Sequence, residues 1–177
     1  ELAVYVTINP TNPKLIARAN YRLKTYAKST TSDNDITRLN WLPMDGDPPR
    51  PAGIPSTDEE HELSLRKCAE IRDWLVSNGW PASAFVRVDS GNGGYLLARI
   101  ELENTTENHG LVERCLKALD YLYSDAGFTV DTTSANPARI LRVPGTTNAK
   151  GDEVGDMRHR MARILEAPES FEVVPRE

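Results

Sequence analysis

Two aspartates one residue apart, Asp45 and Asp47, close the apolar run Trp41-Leu42-Pro43-Met44 and precede the stiff segment Pro48-Pro49-Arg50-Pro51. On a strand, alternate side chains share a face, so the two carboxylates would point the same way, about 7 Å apart. Like charges so placed repel unless a cation lies between them. Hard oxygen donors suit Mg²⁺ or Mn²⁺, and two such ions can drive phosphoryl or nucleotidyl transfer. The same residues also read as a solvated turn, because Asp, Gly and Pro are all turn formers. Which reading holds depends on whether the run is a strand.

A second stretch, Ser90-Gly91-Asn92-Gly93-Gly94, combines a hydroxyl, an amide and three glycines. Glycines let backbone N–H groups turn toward an anion and let a phosphate approach closely. The stretch lacks the Lys-Ser/Thr ending of a P-loop and joins two strands, so neither a Walker A nor a Rossmann site is credible, and alone it also reads as an ordinary hairpin loop. Asp131 ends the short apolar stretch Phe128-Thr129-Val130 and is a third carboxylate candidate, followed by Arg139, Arg142 and Lys150. Alternation along a regular strand sets Arg139 and Arg142 on opposite faces, so only one would reach a substrate unless a bulge intervenes.

The elements that must position these groups follow from the pattern. Residues 2–8 read as a strand. Asn12 and Pro13 then open a helix with Leu15, Ile16, Ala19 and Leu23 inward. A strand spans Thr37 to Asp45. Thr57-Asp58-Glu59-Glu60 carries a capping box for a long helix with Leu65, Cys68, Ile71 and Leu75 inward, stopped at Asn78-Gly79. Phe85 to Asp89 and Tyr95 to Leu102 form a hairpin. A second long helix buries Leu111/Val112, Cys115/Leu116, Leu119 and Leu122, with Gly127 as its stop. Strands at Phe128–Asp131, Ala138–Val143 and about Arg160–Leu165 complete the chain. From residue 37 to 143 the order is strand, helix, strand, strand, helix, strand. That predicts an α+β, RRM-like (ferredoxin-like split βαββαβ) core of residues 37–165. Residues 1–36 would be a small N-terminal α/β lobe covering the sheet, and 166–177 a C-terminal tail.

Composition narrows the class. A chain of 177 residues forms one domain or two lobes on one core. The absence of a long apolar run or leader pattern predicts a protein of the cytoplasm with no membrane partner. The chain opens on Glu1, directly before a strand, and reads as a piece of a longer polypeptide. Cys68 and Cys115 sit singly in apolar helical patterns, and His61, His109 and His159 are scattered, which argues against zinc. The net charge of −5 argues against nonspecific coating of nucleic acid. A local basic track nonetheless exists: Lys14, Arg18, Arg22, Lys24 and Lys28 fall in a stretch free of acidic residues from Leu2 to Ser32.

The succession Trp41-Leu-Pro-Met-Asp-Gly-Asp-Pro-Pro-Arg-Pro-Ala-Gly-Ile, Asp89-Ser-Gly-Asn-Gly-Gly-Tyr-Leu-Leu, and Val130-Asp131 with Asn136-Pro-Ala-Arg-Ile-Leu-Arg-Val-Pro-Gly-Thr-Thr-Asn-Ala-Lys-Gly resembles the archaeo-eukaryotic primase superfamily. It is similar in particular to the primase-polymerase domains of phages, plasmids and mobile elements, which are often fused to a helicase. The resemblance implies a DNA primase-polymerase: a nucleotidyltransferase acting on a DNA template and primer with dNTP or NTP. It implies a two-metal Mg²⁺ or Mn²⁺ site held by Asp45, Asp47 and Asp131. Ser90, Gly91, Asn92 and Gly93 match the motif that holds the incoming triphosphate. That motif ordinarily ends in a histidine, and Tyr95 stands in its place. A phenol donates one hydrogen bond and does not become cationic near neutral pH. Arg139, Arg142 and Lys150 correspond to the family's basic residues, and Arg158-His159-Arg160 to its late basic cluster, adding His159 to the nucleotide contacts. Lys14, Arg18, Arg22 and Lys24 would meet template backbone. The competing reading is a non-catalytic nucleotide or nucleic-acid binding module on the same fold. A nucleotide cyclase fits the hairpin motif less well, and an RNA-binding RRM lacks its interleaved aromatics.

Overall fold

A computed structural model describes residues 3–176 of the chain. Strand β1 (Tyr5–Thr7) is followed by a short 3-10 segment, Pro13–Arg18. The start signal works as read, since the Asn12 side chain accepts from Lys14 N–H and Pro13 sits at the first position. The continuation does not: no residue of the segment is buried, and Leu23 is fully exposed. Helix propagation needs a surface to pack against, and Ile16 and Leu23 find none, while Leu15 is only half-buried. The expected strand also began at Leu2, which lies outside the described residues.

Strand β2 (Arg38–Asp47) runs through both aspartates, so Asp45-Gly46-Asp47 is strand and not turn. Helix α1 (Asp58–Ser77) starts on the expected capping box, Thr57 Oγ1 accepting from Glu60 N–H and Glu60 from Thr57 N–H, and gives way to Gly79 at φ +94°. Strands β3 (Phe85–Asp89) and β4 (Gly94–Glu103) form the hairpin, and helix α2 (Thr106–Tyr123) follows. Gly127 is not its stop, because the helix already ends at Ser124, whose hydroxyl turns back to Asp120. Leu122 accordingly lies on the exposed side. Strand β5 (Thr129–Val130) completes the strand-helix-strand-strand-helix-strand succession.

Five strands form one sheet in the order β5-β2-β4-β3-β9, where β9 is Arg163–Glu166, and every neighbouring pair is antiparallel. Helices α1 and α2 cover one face through Ile71, Leu75, Val112, Leu116 and Leu119 against Leu42, Met44, Leu96 and Ala98. Each of these Leu, Ile, Val and Met side chains stabilises the fold by about 1.5–3 kcal/mol on burial. The expected strand at 138–143 shortens to β6 (Ile140–Arg142), which pairs with β1. The last expected strand divides at Ala162. β8 (Arg160–Met161) pairs with β7 (Thr147–Asn148), while β9 extends the main sheet.

On the opposite sheet face, Ala3 and Tyr5 lie over the end that carries Asp45 and Tyr95, and the C-terminal segment covers Trp41. Trp41 packs edge-on against Phe171 of the C-terminal segment, ring centroids 5.3 Å apart, with the Arg99 guanidinium over its ring. That segment is anchored where β3 leaves β4 unpaired: Val174 N–H donates to Arg99 O at 2.8 Å, and its side chain joins the core. The N-terminal segment is tied to β2 at the same level, where Asn9 Oδ1 accepts from the N–H groups of Asn40 and Trp41 at the β2 irregularity.

Candidate active site

Gly46, between the two aspartates, faces the helices. A Cβ there would lie 2.7 Å from the Phe128 ring and 2.9 Å from Cys68 Sγ. Gly94, its partner across the β2–β4 ladder, meets Cys68 Sγ at 2.7 Å in the same way. The two glycines let α1 settle onto this end of the sheet, and Asp45 and Asp47 are thereby held on the other face.

That face opens into a cavity of about 370 Å³. Asp45 and Asp47 line it together with Ser90, Asn92 and Tyr95 of the hairpin region and with Arg142 and Lys150. Seven of the residues expected from sequence therefore meet in one place. Gly91 and Gly93 belong to the same loop, but their open sides are taken by the protein itself. A Cβ on Gly93 would collide with Asp47 Oδ1 and Gly46 O, and one on Gly91 would lie 2.6 Å from Arg160 O. The loop's N–H groups are also engaged internally: Gly91 donates to Asp89 Oδ1, and Asn92 and Gly93 to Ser90 Oγ. The loop is thus a rigid wall, and its polar reach into the cavity comes from side chains. Asn92 Nδ2 and Asn148 Oδ1, both buried in residues lining the cavity, have no hydrogen-bond partner. An unpaired donor and an unpaired acceptor are costly unless a polar ligand meets them.

Asp131 joins the cluster indirectly. Arg139 Nη2 lies 3.0 Å from Asp45 Oδ2 and 2.8 Å from Asp131 Oδ2, bridging the two. Burial alone would raise the Asp131 carboxyl, but the Thr133 hydroxyl and N–H and the Arg139 guanidinium hold it below its ordinary value. Asp45 goes the other way. Burial, then the charge of Asp47, push it up to about 7 against the pull of Arg139. Because β6 begins only at Ile140, Arg139 is free of strand alternation, and both arginines address the acidic residues' surroundings. Burial and the charges of Asp45 and Asp47 push the Tyr95 phenol up, keeping it a neutral donor.

The remaining expected residues lie apart. His159 Nε2 lies 2.8 Å from Gly151 O, outside the cavity lining. Lys14, Arg18, Arg22 and Lys24 are exposed on the segment before β2. Sequence reasoning missed Tyr5, whose hydroxyl accepts from Arg142 Nη2 at 2.8 Å and whose ring lies under the guanidinium. It also missed Asn148 and Arg50, the latter 3.3 Å from Asp47 Oδ2. The only signal for Arg50 was its place directly after the aspartates.

Among the described residues, no group of three or more His, Cys, Asp or Glu side chains could hold a metal ion alone. The donor set nevertheless suits Mg²⁺, which dehydrates reluctantly and is usually held by one or two carboxylates plus substrate phosphates rather than by a protein cage. Asp45 and Asp47 supply two carboxylates on one cavity.

No family model matches the chain. No curated protein matches it either. Among solved structures, it is similar to the AEP domain of the primase-polymerase (PrimPol) of cyanophage S-2L, at 18% identity over 80% of this chain and 60% of that one, with a TM-score of 0.43. The chain thus spans about 60% of the length of that domain. Among the described residues, no helix is long and apolar enough to cross a membrane.

Proposed function

We propose that this chain is the catalytic domain of a DNA primase-polymerase of the archaeo-eukaryotic primase type, built on an RRM-like core and transferring nucleotides from (d)NTPs to a 3′-hydroxyl. The observation that carries the reading is the cavity in which Asp45 and Asp47 share a lining with Arg142 and Lys150. Carboxylates and cations on one polar cavity match a metal-nucleoside triphosphate, whose phosphates need both. The sheet order β5-β2-β4-β3 supports the RRM-like core, because it is the order a split βαββαβ unit gives.

Asp45 and Asp47 would hold the divalent ion, with Asp131 the third acidic member through Arg139. When bound, an ion of this class supplies Lewis acidity toward the 3′-hydroxyl and the α-phosphate and offsets charge on the pyrophosphate leaving group. Arg142 and Lys150 bind and orient the triphosphate as fixed cations. Asn92 Nδ2 and the neutral Tyr95 phenol donate to its oxygens. The buried hairpin holds these donors rigid.

Incubation with a primed template, nucleotides and Mg²⁺ or Mn²⁺ tests the reading. Primer extension or dinucleotide synthesis is expected, and the absence of both with either metal rejects it. Tyr95 and the internally engaged hairpin amides favour one competing reading, a non-catalytic nucleotide-binding module. Its signature is nucleotide binding without turnover.

A further inference from the structure

The segment between β1 and β2 leaves the body of the protein and carries the most exposed large apolar side chains among the described residues. Tyr21, Leu23 and Tyr26 are 95%, 100% and 99% exposed. They interleave with cations as Tyr21-Arg22-Leu23-Lys24-Thr25-Tyr26-Ala27-Lys28, within a stretch free of acidic residues from Leu2 to Ser32. Among the described residues, Lys14, Arg22, Lys24 and Lys28 make no ion pair, whereas Arg18 turns back onto Asp35. Isolated apolar exposure is ordinary, but aromatic rings alternating with unpaired cations on one excursion is a specific pattern.

The base of the excursion is fixed. Thr11 bridges Ile36, and Asn12 N–H donates to Asp35 O at 2.7 Å. Asp33 Oδ1 accepts from Ala138 N–H at 2.9 Å, and the next residue is Arg139, which touches Asp45. The exposed segment is therefore anchored one residue from the arginine of the acidic cluster.

We propose that residues 14–28 bind single-stranded nucleic acid, with Tyr21 and Tyr26 stacking on unpaired bases and Lys14, Arg22, Lys24 and Lys28 meeting the phosphates. Charge selects a polyanion, and exposed rings select one with accessible π-faces. A duplex hides those faces within its stack. A lipid surface would call for an amphipathic helix, whereas helical structure here stops at the 3-10 segment ending at Arg18. The inference rests on the primase-polymerase reading only in naming the bound strand as the one to be copied. Strand binding itself needs neither metal nor nucleotide.

The test is fluorescence anisotropy of the full chain with labelled single-stranded oligothymidine, with a duplex of equal length, and with phosphatidylserine vesicles, all in EDTA. Single strand is expected to bind best. Tyr21→Ser/Tyr26→Ser should weaken it about thirtyfold or more, and Arg22→Gln/Lys24→Gln should reduce the salt slope by about 1.4. These side chains are fully exposed, so the melting temperature should not move. Equal affinity of wild type and Tyr21→Ser/Tyr26→Ser overturns the proposal. So does an absence of single-strand binding, or equal binding of vesicles or duplex. Asp45→Asn keeps the two readings separate: strand binding that survives in this variant without extension in any protein supports this proposal and rejects only the polymerase.

Discussion

His61 Nε2 lies 2.8 Å from Asp89 Oδ1, joining the first turn of α1 to the end of β3 in the interior beneath the hairpin. Asp89 is wholly buried, yet it also accepts from Gly91 N–H and pairs with Arg163 Nε at 3.2 Å. One carboxylate thus ties a helix, a hairpin and an edge strand together. Burial would raise its pKa, but the His61 contact, the Gly91 N–H and Arg163 hold it below the ordinary 3.8.

Asp89→Asn should therefore destabilise the protein by about 3 kcal/mol, as loss of one member of a buried charged network does. That corresponds to a fall in Tm on the order of 10 °C. A depressed carboxylate contributes stability that is present above its unfolded value of 3.8 and is lost as pH falls through its folded value. Thermal melts from pH 7 to pH 3 should show the gap between variant and wild type constant at first and closing below about pH 4.

Asp45→Asn should do the opposite to stability while abolishing synthesis. The Asp45 carboxyl is raised to about 7, so its contribution is fully present below the unfolded value of 3.8 and is lost as pH rises toward and through 7. The metal-free variant should melt several degrees above wild type at pH 8, within an upper limit on the order of 4 kcal/mol, and level with it near pH 4. Addition of Mn²⁺ should raise the Tm of wild type more than that of the variant. Equal melting at pH 8 would show that Arg139 already balances the site.

Arg139→Gln removes the cation between Asp45 and Asp131. Calorimetry in EDTA should show a loss of about 1–2 kcal/mol, since the pair is only partly buried. The Tm gained on adding Mn²⁺ should exceed that of wild type, because divalent charge would then meet uncompensated carboxylates. An unchanged gain would separate Arg139 from the metal.

Gly46→Ala should cost about 1–3 kcal/mol through overpacking against Phe128 and Cys68. Chemical denaturation of Gly46→Ala, Cys68→Ala and the double variant would measure the coupling. Relief from Cys68→Ala should be partial, as the Phe128 ring remains 2.7 Å from the added Cβ.

The helices and main strands were legible because each is periodic and bounded by local signals. The Thr57 box and the Gly79 stop are chemistry within one turn of chain. The segment after Pro13 was misread for the complementary reason. Leu15, Ile16 and Leu23 have helical spacing, but spacing says nothing about whether a surface exists to receive them. At the site, the aspartates and hairpin residues were visible because motif and strand period coincide. Tyr5 and Asn148 were not, since each reaches the cavity from a short strand whose place depends on contacts distant in sequence, and Arg50 was not because its proline-rich connection has no periodicity to read. Bridging by Arg139 was hidden by assuming a longer strand than β6 proves to be.

Cys68 has a further consequence. Its thiol lies against two glycines in the floor behind the acidic pair, and burial followed by the charge of Asp45 pushes its pKa up. A thiol in that state is inert to alkylation until α1 lifts from the sheet. The rate at which a maleimide labels Cys68 is therefore a clock for opening beneath the aspartates, readable without nucleotide, template or turnover.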